Sequence, residues 1–210
     1  MIAVLIVDDH AVVRRGLVQI LSETDDITVG GEAEAASEVM PLVRSREWSV
    51  VLLDLNIGAA NGLDVLAQIR RERPRLPVII LTVFSEEQYA LRALKSGASG
   101  FITKQAAPEQ LIAAVRHVAT GGRWISPQLA ERLATHVAGG TPGAPHEALS
   151  NRELEVLTLI GSGLTVSQIA ARLHLSVKTI STHRARLLAK MGMKTNAELT
   201  RYAVTARLVP

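Results

Sequence analysis

Four apolar runs in the first half of the chain each end in a group that can bind a cation or a phosphoryl oxygen. IAVLIV runs into Asp8-Asp9, VVLL into Asp54, PVIIL into Thr82 and GFIT into Lys104. Three carboxylates brought into one pocket repel unless a cation joins them. Mg2+ suits such a set, since it is hard, prefers oxygen and keeps water and phosphate in its shell. Asp54 is then placed as a nucleophile toward a phosphoryl donor. Lys104 offsets charge on the transferring oxygens, and Thr82 offers its hydroxyl to the bound group. An Asp at a strand end is common by itself, because Asp caps helices and forms turns. The ordered set of four endings carries what one ending would not.

These groups need a scaffold that brings strand ends together. The apolar runs IAVLIV, ITVGG, SVVLL, PVIILT and GFIT alternate with AVVRRGLVQILSE, AASEVMPLVRSR, GLDVLAQIRRER, EEQYALRALKSG and PEQLIAAVRHVATG. The second set repeats apolar residues at i, i+3, i+4 and i+7, the helical period. Strict alternation of strand and helix predicts a doubly wound, five-stranded parallel sheet with helices on both faces. In such α/β sheets ligands bind at the carboxyl ends of the strands, near the switch point. His10 reads as an exposed residue that starts the first helix.

After Gly121-Gly122 the text changes. Ser126-Pro127 is an N-cap followed by a first-turn proline, so a connecting helix is expected there, stopping near Gly139-Gly140. GGTPGAPHEA then reads as a flexible linker. From Leu149 onward only the helical period remains. Ser150 with Glu153 and Thr165 with Gln168 have capping-box spacing, and Ser176 caps VKTISTHRARLLAKM. Thr195 or Asn196 opens a last helix. The expected organisation is residues 1–122, a connecting helix and linker over 123–147, and a small all-α helix-turn-helix domain over 148–210.

Composition supports two unlike halves. The chain has 210 residues, 48% hydrophobic and 20% charged, with no cysteine, so disulfides and thiolate chemistry are excluded. The apolar start is too short for a signal peptide and no run is long enough to span a membrane, so a cytoplasmic protein is expected. From Ala148 onward nine basic residues face three acidic ones, a charge of +6. The remainder carries 14 against 17, or −3. A basic module points to a polyanion partner. In VKTISTHRARLLAKM, Ile180, Leu187, Leu188 and Met191 are spaced to face a core. Ser181, Thr182 and Ala185 then face a groove floor, while Lys178, Arg184 and Arg186 reach phosphates or guanine edges. Thr165 and Gln168 open the preceding helix, whose amides can meet a phosphate. Thr179 and His183, on the same helix, are further candidates for DNA contact. His183 and His174 read as packing or phosphate contacts, since no second ligand lies at metal spacing.

VLIVDDH, LLDLN, LT with KSGASGFITK, and LSNRELEVLTLI…SQIAARLHLSVKTISTHRARLLAKMG resemble the two-component response regulators of the NarL/FixJ type. In that family a flavodoxin-like receiver is joined to a LuxR-type helix-turn-helix. The resemblance implies that Asp54 accepts phosphate from a sensor histidine kinase. It implies that Asp8, Asp9, Asp54 and the Asn56 carbonyl bind Mg2+, that Thr82 and Phe101 are switch residues, and that Lys104 pairs with the acyl phosphate. It further implies a phosphorylation-driven homodimer on double-stranded promoter DNA, with no membrane. The chain departs from the family pattern at Gly58, where proline is usual, and at Gln105. Phe101 lacks a tyrosine hydroxyl. The resemblance also assigns phosphoryl lifetime to the side chains at Asn56 and Phe84, where a bulky apolar ring obstructs water. Alternative readings are a regulator of the same architecture controlled by a partner or ligand, and a Mg2+-dependent phosphatase. Against the phosphatase, Asn56 stands where a second acid would be expected.

Overall fold

The computed structural model describes residues 1–58, 60–83, 86–127, 129–131, 134, 144–206 and 208–209. Phe84 and most of the expected linker lie outside them. The chain divides into two compact units, Met1–Ala134 and Thr135–Pro210. No helix among the described residues is long and apolar enough to cross a membrane.

In the first unit five strands form one sheet: β1 (Ile2–Val7), β2 (Ile27–Ala33), β3 (Val50–Leu53), β4 (Val78–Thr82) and β5 (Gly100–Thr103). The order is β2-β1-β3-β4-β5, and every pairing is parallel. Between them run α1 (Ala11–Ser22), α2 (Ala36–Ser45), α3 (Gly62–Glu72) and α4 (Glu86–Lys95), and α5 (Pro108–Ala119) follows β5. The expected doubly wound α/β fold is therefore observed. β2 is longer than the ITVGG run, because Glu32 and Ala33 continue to pair with Ile6 and Val7.

Alternation along each strand feeds two core layers. Val4, Ile6, Val50, Leu52, Ile79, Leu81 and Ile102 pack with Leu17 and Leu21 of α1 and Leu111, Val115 and Val118 of α5. Leu5, Val7, Val51, Leu53 and Ile80 are just as buried toward the other face. Each fully buried aliphatic side chain is worth about 1.5–3 kcal/mol. Aliphatics on both faces thus hold the strand ends, and whatever they carry, in fixed register.

Sequence order reverses between β1 and β3, the point where a crevice opens above the strand ends. The ladder runs one residue past those strands: Asp54 N–H donates to Val7 O (2.9 Å) and Asp8 N–H to Ala33 O (3.1 Å). The backbones of both acids are thereby fixed. After Asp54 the chain makes a short antiparallel ladder, Asn56–Ile57 with Ala60–Asn61, and turns into α3. Asn61 caps α3 by accepting from Leu63 N–H (2.9 Å).

The second unit holds a 3-10 turn (Pro145–Ala148) and four helices: α6 (Asn151–Gly161), α7 (Val166–Arg172), α8 (Val177–Met191) and α9 (Asn196–Thr205). Ser150, Thr165, Ser176 and Thr195 each cap a helix by accepting from the amide three residues on. His174 (φ 51°) makes the tight connection between α7 and α8. Ile180 and Leu187 are fully buried, whereas Leu188 and Met191 are half-buried at the margin of the core. The linker expectation needs one correction. Its last residues are structured, because Pro145 opens a turn and Glu147 accepts from Ala144 N–H (3.3 Å). His146 Nδ1 lies 2.8 Å from the Tyr202 hydroxyl, which fastens that turn to α9.

Gly62 is where the fold leaves least room. A Cβ there would lie 2.1 Å from Asp54 O and 2.8 Å from Leu55 Cα. Both obstacles are backbone, so no rotamer change relieves them. Gly62→Ala is expected to destabilise the first unit by about 1–3 kcal/mol or more. Gly16→Ala in α1, where a Cβ meets nothing within 4 Å, should stabilise it by about 0.5–1 kcal/mol. Thermal denaturation of the two variants checks both signs, and an unchanged midpoint for Gly62→Ala would overturn the steric account.

Candidate functional site

The strand ends converge on an acidic pocket. Asp8 and Asp54 are 1% and 3% exposed. Lys104, one residue past β5, places Nζ 2.5 Å from Asp8 Oδ2 and 2.7 Å from Asp54 Oδ2. Its own amide donates to Thr82 O (2.8 Å), which ties the lysine to the end of β4. Asp9 faces the same space and accepts at Oδ2 from Gly58 N–H (2.8 Å). Arg14 Nη1 donates to Asp8 O (2.7 Å) and braces the loop from behind.

The electrostatics follow from burial. Asp54 is pushed up to about 6, chiefly because burial penalises its charge. The Lys104 ammonium and the Asn56 amide oppose that rise, while Asp8 adds to it. For Lys104, burial works against the charge, but Asp54 and Asp8 outweigh it and hold the ammonium above the usual lysine range. The lysine thus acts as an internal counter-ion for two of the three acids.

Asp8, Asp9, His10 and Asp54 each offer one ligand atom, and these atoms lie within 4.8 Å of one another. Asp8 Oδ2 and Asp9 Oδ1 are buried, and among the described residues no backbone amide donates to either. Each has only an ion-pair neighbour, Lys104 and His10 respectively. Acceptor oxygens with spare lone pairs, converging in a buried pocket, fit a hard divalent cation.

His10 was not expected in this group. It is exposed, with 63% of its side chain accessible, and it does start α1. Even so, its Nδ1 lies 2.6 Å from Asp9 Oδ1 and 3.3 Å from Asp8 Oδ1, and its amide donates to Asp8 Oδ1 (2.9 Å). The sequence signal was its place directly after two acids.

Thr82 is fully buried at the end of β4, and Phe101 is 3% exposed on β5. Thr82 pairs with Thr103 and Ile80 with Phe101, so Thr82 and Phe101 share one face of the sheet. Gly58 adopts φ 56°. Proline cannot take that angle and has no N–H to give Asp9, so this loop differs in conformation from the family pattern and not only in stiffness.

In the second unit, α8 presents Lys178, Ser181, Thr182, Ala185 and Arg186 on its exposed face, opposite Ile180 and Leu187. Three other expected contacts have internal roles. Thr179 is half-buried and its hydroxyl lies 2.8 Å from the Ser176 cap hydroxyl. Arg184 is half-buried and donates from Nε to Asn196 Oδ1 (2.5 Å), bracing the start of α9. His183 is half-buried, and burial together with Arg152 and Arg186 holds its pKa down. Thr165 and Gln168 are exposed, but their side chains bond one another (2.9 Å) in the cap of α7.

Both units match known families. Residues 4–116 match the response regulator receiver domain, and residues 147–203 match the luxR family of bacterial regulatory proteins. The chain is 35% identical to response regulator GacA of Pseudomonas protegens, covering 100% of this chain and 98% of that one. It is 34% identical to response regulator UvrY of Escherichia coli K12, covering 97% and 94%. RcsB from Salmonella enterica serovar Typhimurium, solved on the promoter P1flhDC with the phosphomimetic BeF3−, matches with a TM-score of 0.64 at 27% identity, covering 96% and 97%. The chain therefore belongs to the response regulators, with a receiver domain followed by a LuxR-type DNA-binding domain.

Proposed function

We propose that Asp54 is the phosphoacceptor and that its phosphorylation by a sensor histidine kinase controls binding of a homodimer to promoter DNA. The observation that carries this reading is Lys104 Nζ set between Asp8 and Asp54, with Asp9 facing the same space. In the transfer, an Asp54 carboxylate oxygen attacks phosphorus as the phosphorus–nitrogen bond to the donor imidazole breaks. The leaving nitrogen keeps the electron pair. Mg2+ held by Asp8, Asp9, Asp54 and the Asn56 carbonyl would supply positive charge against the transferring oxygens. Lys104, already within reach, turns from the carboxylate to a phosphoryl oxygen. Thr82 donates its hydroxyl to another, and Phe101 follows the rearrangement as the switch aromatic. The sheet keeps these groups in register, so little has to reorganise.

For DNA, the exposed face of α8 suits the major groove. Ser181, Thr182 and Ala185 would face base edges while Lys178 and Arg186 meet phosphate or guanine. Arg184, His183 and Thr179 serve by holding the helix, with their outer atoms still able to touch the backbone. Thr165 and Gln168 mark the amide end of α7 as a phosphate contact. The working boundaries are 1–122, 123–147 and 148–210, with α9 as the dimer surface. A DNA partner and a kinase that reads a signal set the protein in the cytoplasm.

Two sets of outcomes are expected. A small phosphodonor with Mg2+ should add one phosphoryl group per chain by intact mass. Asp54→Asn should abolish the addition and Asp9→Ala should weaken Mg2+ binding with the fold intact. Undiminished labelling of Asp54→Asn would exclude the assignment. On DNA, the unit Thr135–Pro210 should bind without a phosphodonor. Lys178→Ala and Arg186→Ala should each reduce the salt slope by about 1 if they meet phosphate. Thr182→Ala should change sequence preference instead. If the unit prefers no sequence over random DNA at moderate salt, the groove role of α8 is wrong.

A further inference from the structure

β5 is the edge strand of the sheet, and an edge strand exposes unpaired N–H and C=O groups. Here a segment beyond α5 covers part of it. Trp124 N–H donates to Ser99 O (2.9 Å), and Phe101 N–H donates to Trp124 O (3.1 Å). The two bonds make a parallel bridge between Gly100 and Trp124. The buried aromatic at the switch position is thus joined through its own amide to a residue outside the sheet proper.

Three further features hold this segment in place. A Cβ on Gly100 would lie 3.1 Å from both Trp124 Cβ and Trp124 O, so glycine permits the close approach. Gly122 lets the exposed His117 ring lie over the turn out of α5, since a Cβ there would come within 2.3 Å of His117 Nε2. The His117 and Trp124 rings meet edge-on, with centroids 6.2 Å apart at 64°. Beside them is a cavity of 560 Å³ lined in part by Phe101, Ile102, His117, Trp124 and Ile125. The segment is held by a few specific contacts next to free volume, so it can shift as a unit. Two residues on, Ser126 Oγ accepts from Leu129 N–H (3.1 Å) and caps the helical turn that leads toward the end of the unit.

We propose that Trp124 is a positioning residue that carries the state of Phe101 from the phosphorylation pocket to the segment leading out of the receiver. A phenyl ring makes no directional bond, so its displacement is transmitted by volume and by the backbone to which it is attached. The Phe101 amide takes Trp124 O with it, and the Ser126 cap follows two residues later. The inference rests on Asp54 being the phosphoacceptor.

The test uses the full chain labelled with 5-fluorotryptophan, with Mg2+ and beryllofluoride as the phosphoryl analogue. Trp48 is an internal reference. It packs on Gly31 of β2 at the opposite edge of the sheet, with its Nε1 donating to Leu42 O. Fluorine spectra report bound beryllofluoride and both tryptophans at once. The expected result is bound-fluoride resonances with a shifted Trp124 signal and a steady Trp48 signal, all reverting in Asp54→Asn. Bound fluoride with an unmoved Trp124 would overturn this inference alone. No bound fluoride would overturn the phosphoacceptor reading and this inference with it. Gly100→Ala, whose Cβ crowds Trp124 and displaces it by a few tenths of an ångström, should retain bound beryllofluoride yet reduce the analogue-induced gain in DNA affinity. Retention of the full gain would also overturn the proposal. The wild-type spectra stand whether or not that variant folds.

Discussion

Three carboxylates at the ends of two adjacent strands form the constraint around which the receiver is built. Bringing Asp8, Asp9 and Asp54 together opposes folding, because burial and mutual repulsion both penalise their charges. Lys104 relieves the penalty only in part, as the raised pKa of Asp54 records. The pocket therefore contributes little to stability and must be held by something else. The aliphatic layers on both sides of the sheet do that, and the backbone bonds of Asp8 and Asp54 to Ala33 and Val7 carry the register to the acids. Gly62 adds a second requirement. The loop after Asp54 folds back so closely that only a residue without a side chain fits at the start of α3.

The second unit deals with charge differently. α6 is buried nearly all round and still carries Glu153 and Glu155. Glu153 meets Lys190 of α8 at 2.7 Å, and Glu155 meets Arg152 of α6 itself at 2.7 Å. The acids are thus drawn inward and paired, which leaves the basic excess on the outside. Arg184 is taken up by Asn196 and Lys190 by Glu153, so the exposed cations that α8 offers outward are Lys178 and Arg186. A fixed helix with a short polar face flanked by cations suits a polyanion groove better than an enzyme cleft.

Much of the fold was legible because its signals are local. The apolar runs marked the strands, the helical period marked the helices, and Ser150, Thr165, Ser176 and Thr195 marked helix starts. The acids and Lys104 could be listed from strand ends, since parallel topology dictates that such ends converge. Other features depend on contacts between residues distant in sequence, for which a single sequence has no signal. The Gly58 amide on Asp9 spans 49 positions. The Gly100–Trp124 bridge depends on an edge strand that only the assembled sheet defines. His10 could have been suspected from its neighbours, but the backbone turn after β1 decides that its ring faces Asp9. The 3-10 turn at Pro145 was hidden in a stretch whose Gly and Pro content reads as linker.

The same distinction bears on how a signal can leave the pocket. The proposed phosphorylation would change charge at Asp54, where Lys104 and Thr82 are placed to answer it from neighbouring strand ends. Both sit on the same side of the switch point: Thr82 closes β4, and Lys104 follows β5 with its amide on Thr82 O. A movement of either therefore reaches β4 and β5 first. β5 has a strand neighbour on one side only, and its other edge is covered in part by the Trp124 segment. Its residue sharing a face with Thr82 is Phe101. With no hydroxyl to rebond, Phe101 can only change the space it fills or shift the backbone it belongs to. That backbone is hydrogen-bonded outward to Trp124, at the start of the chain's exit from the receiver. The edge strand nearest Lys104 is thus also the part of the sheet bonded to what comes next.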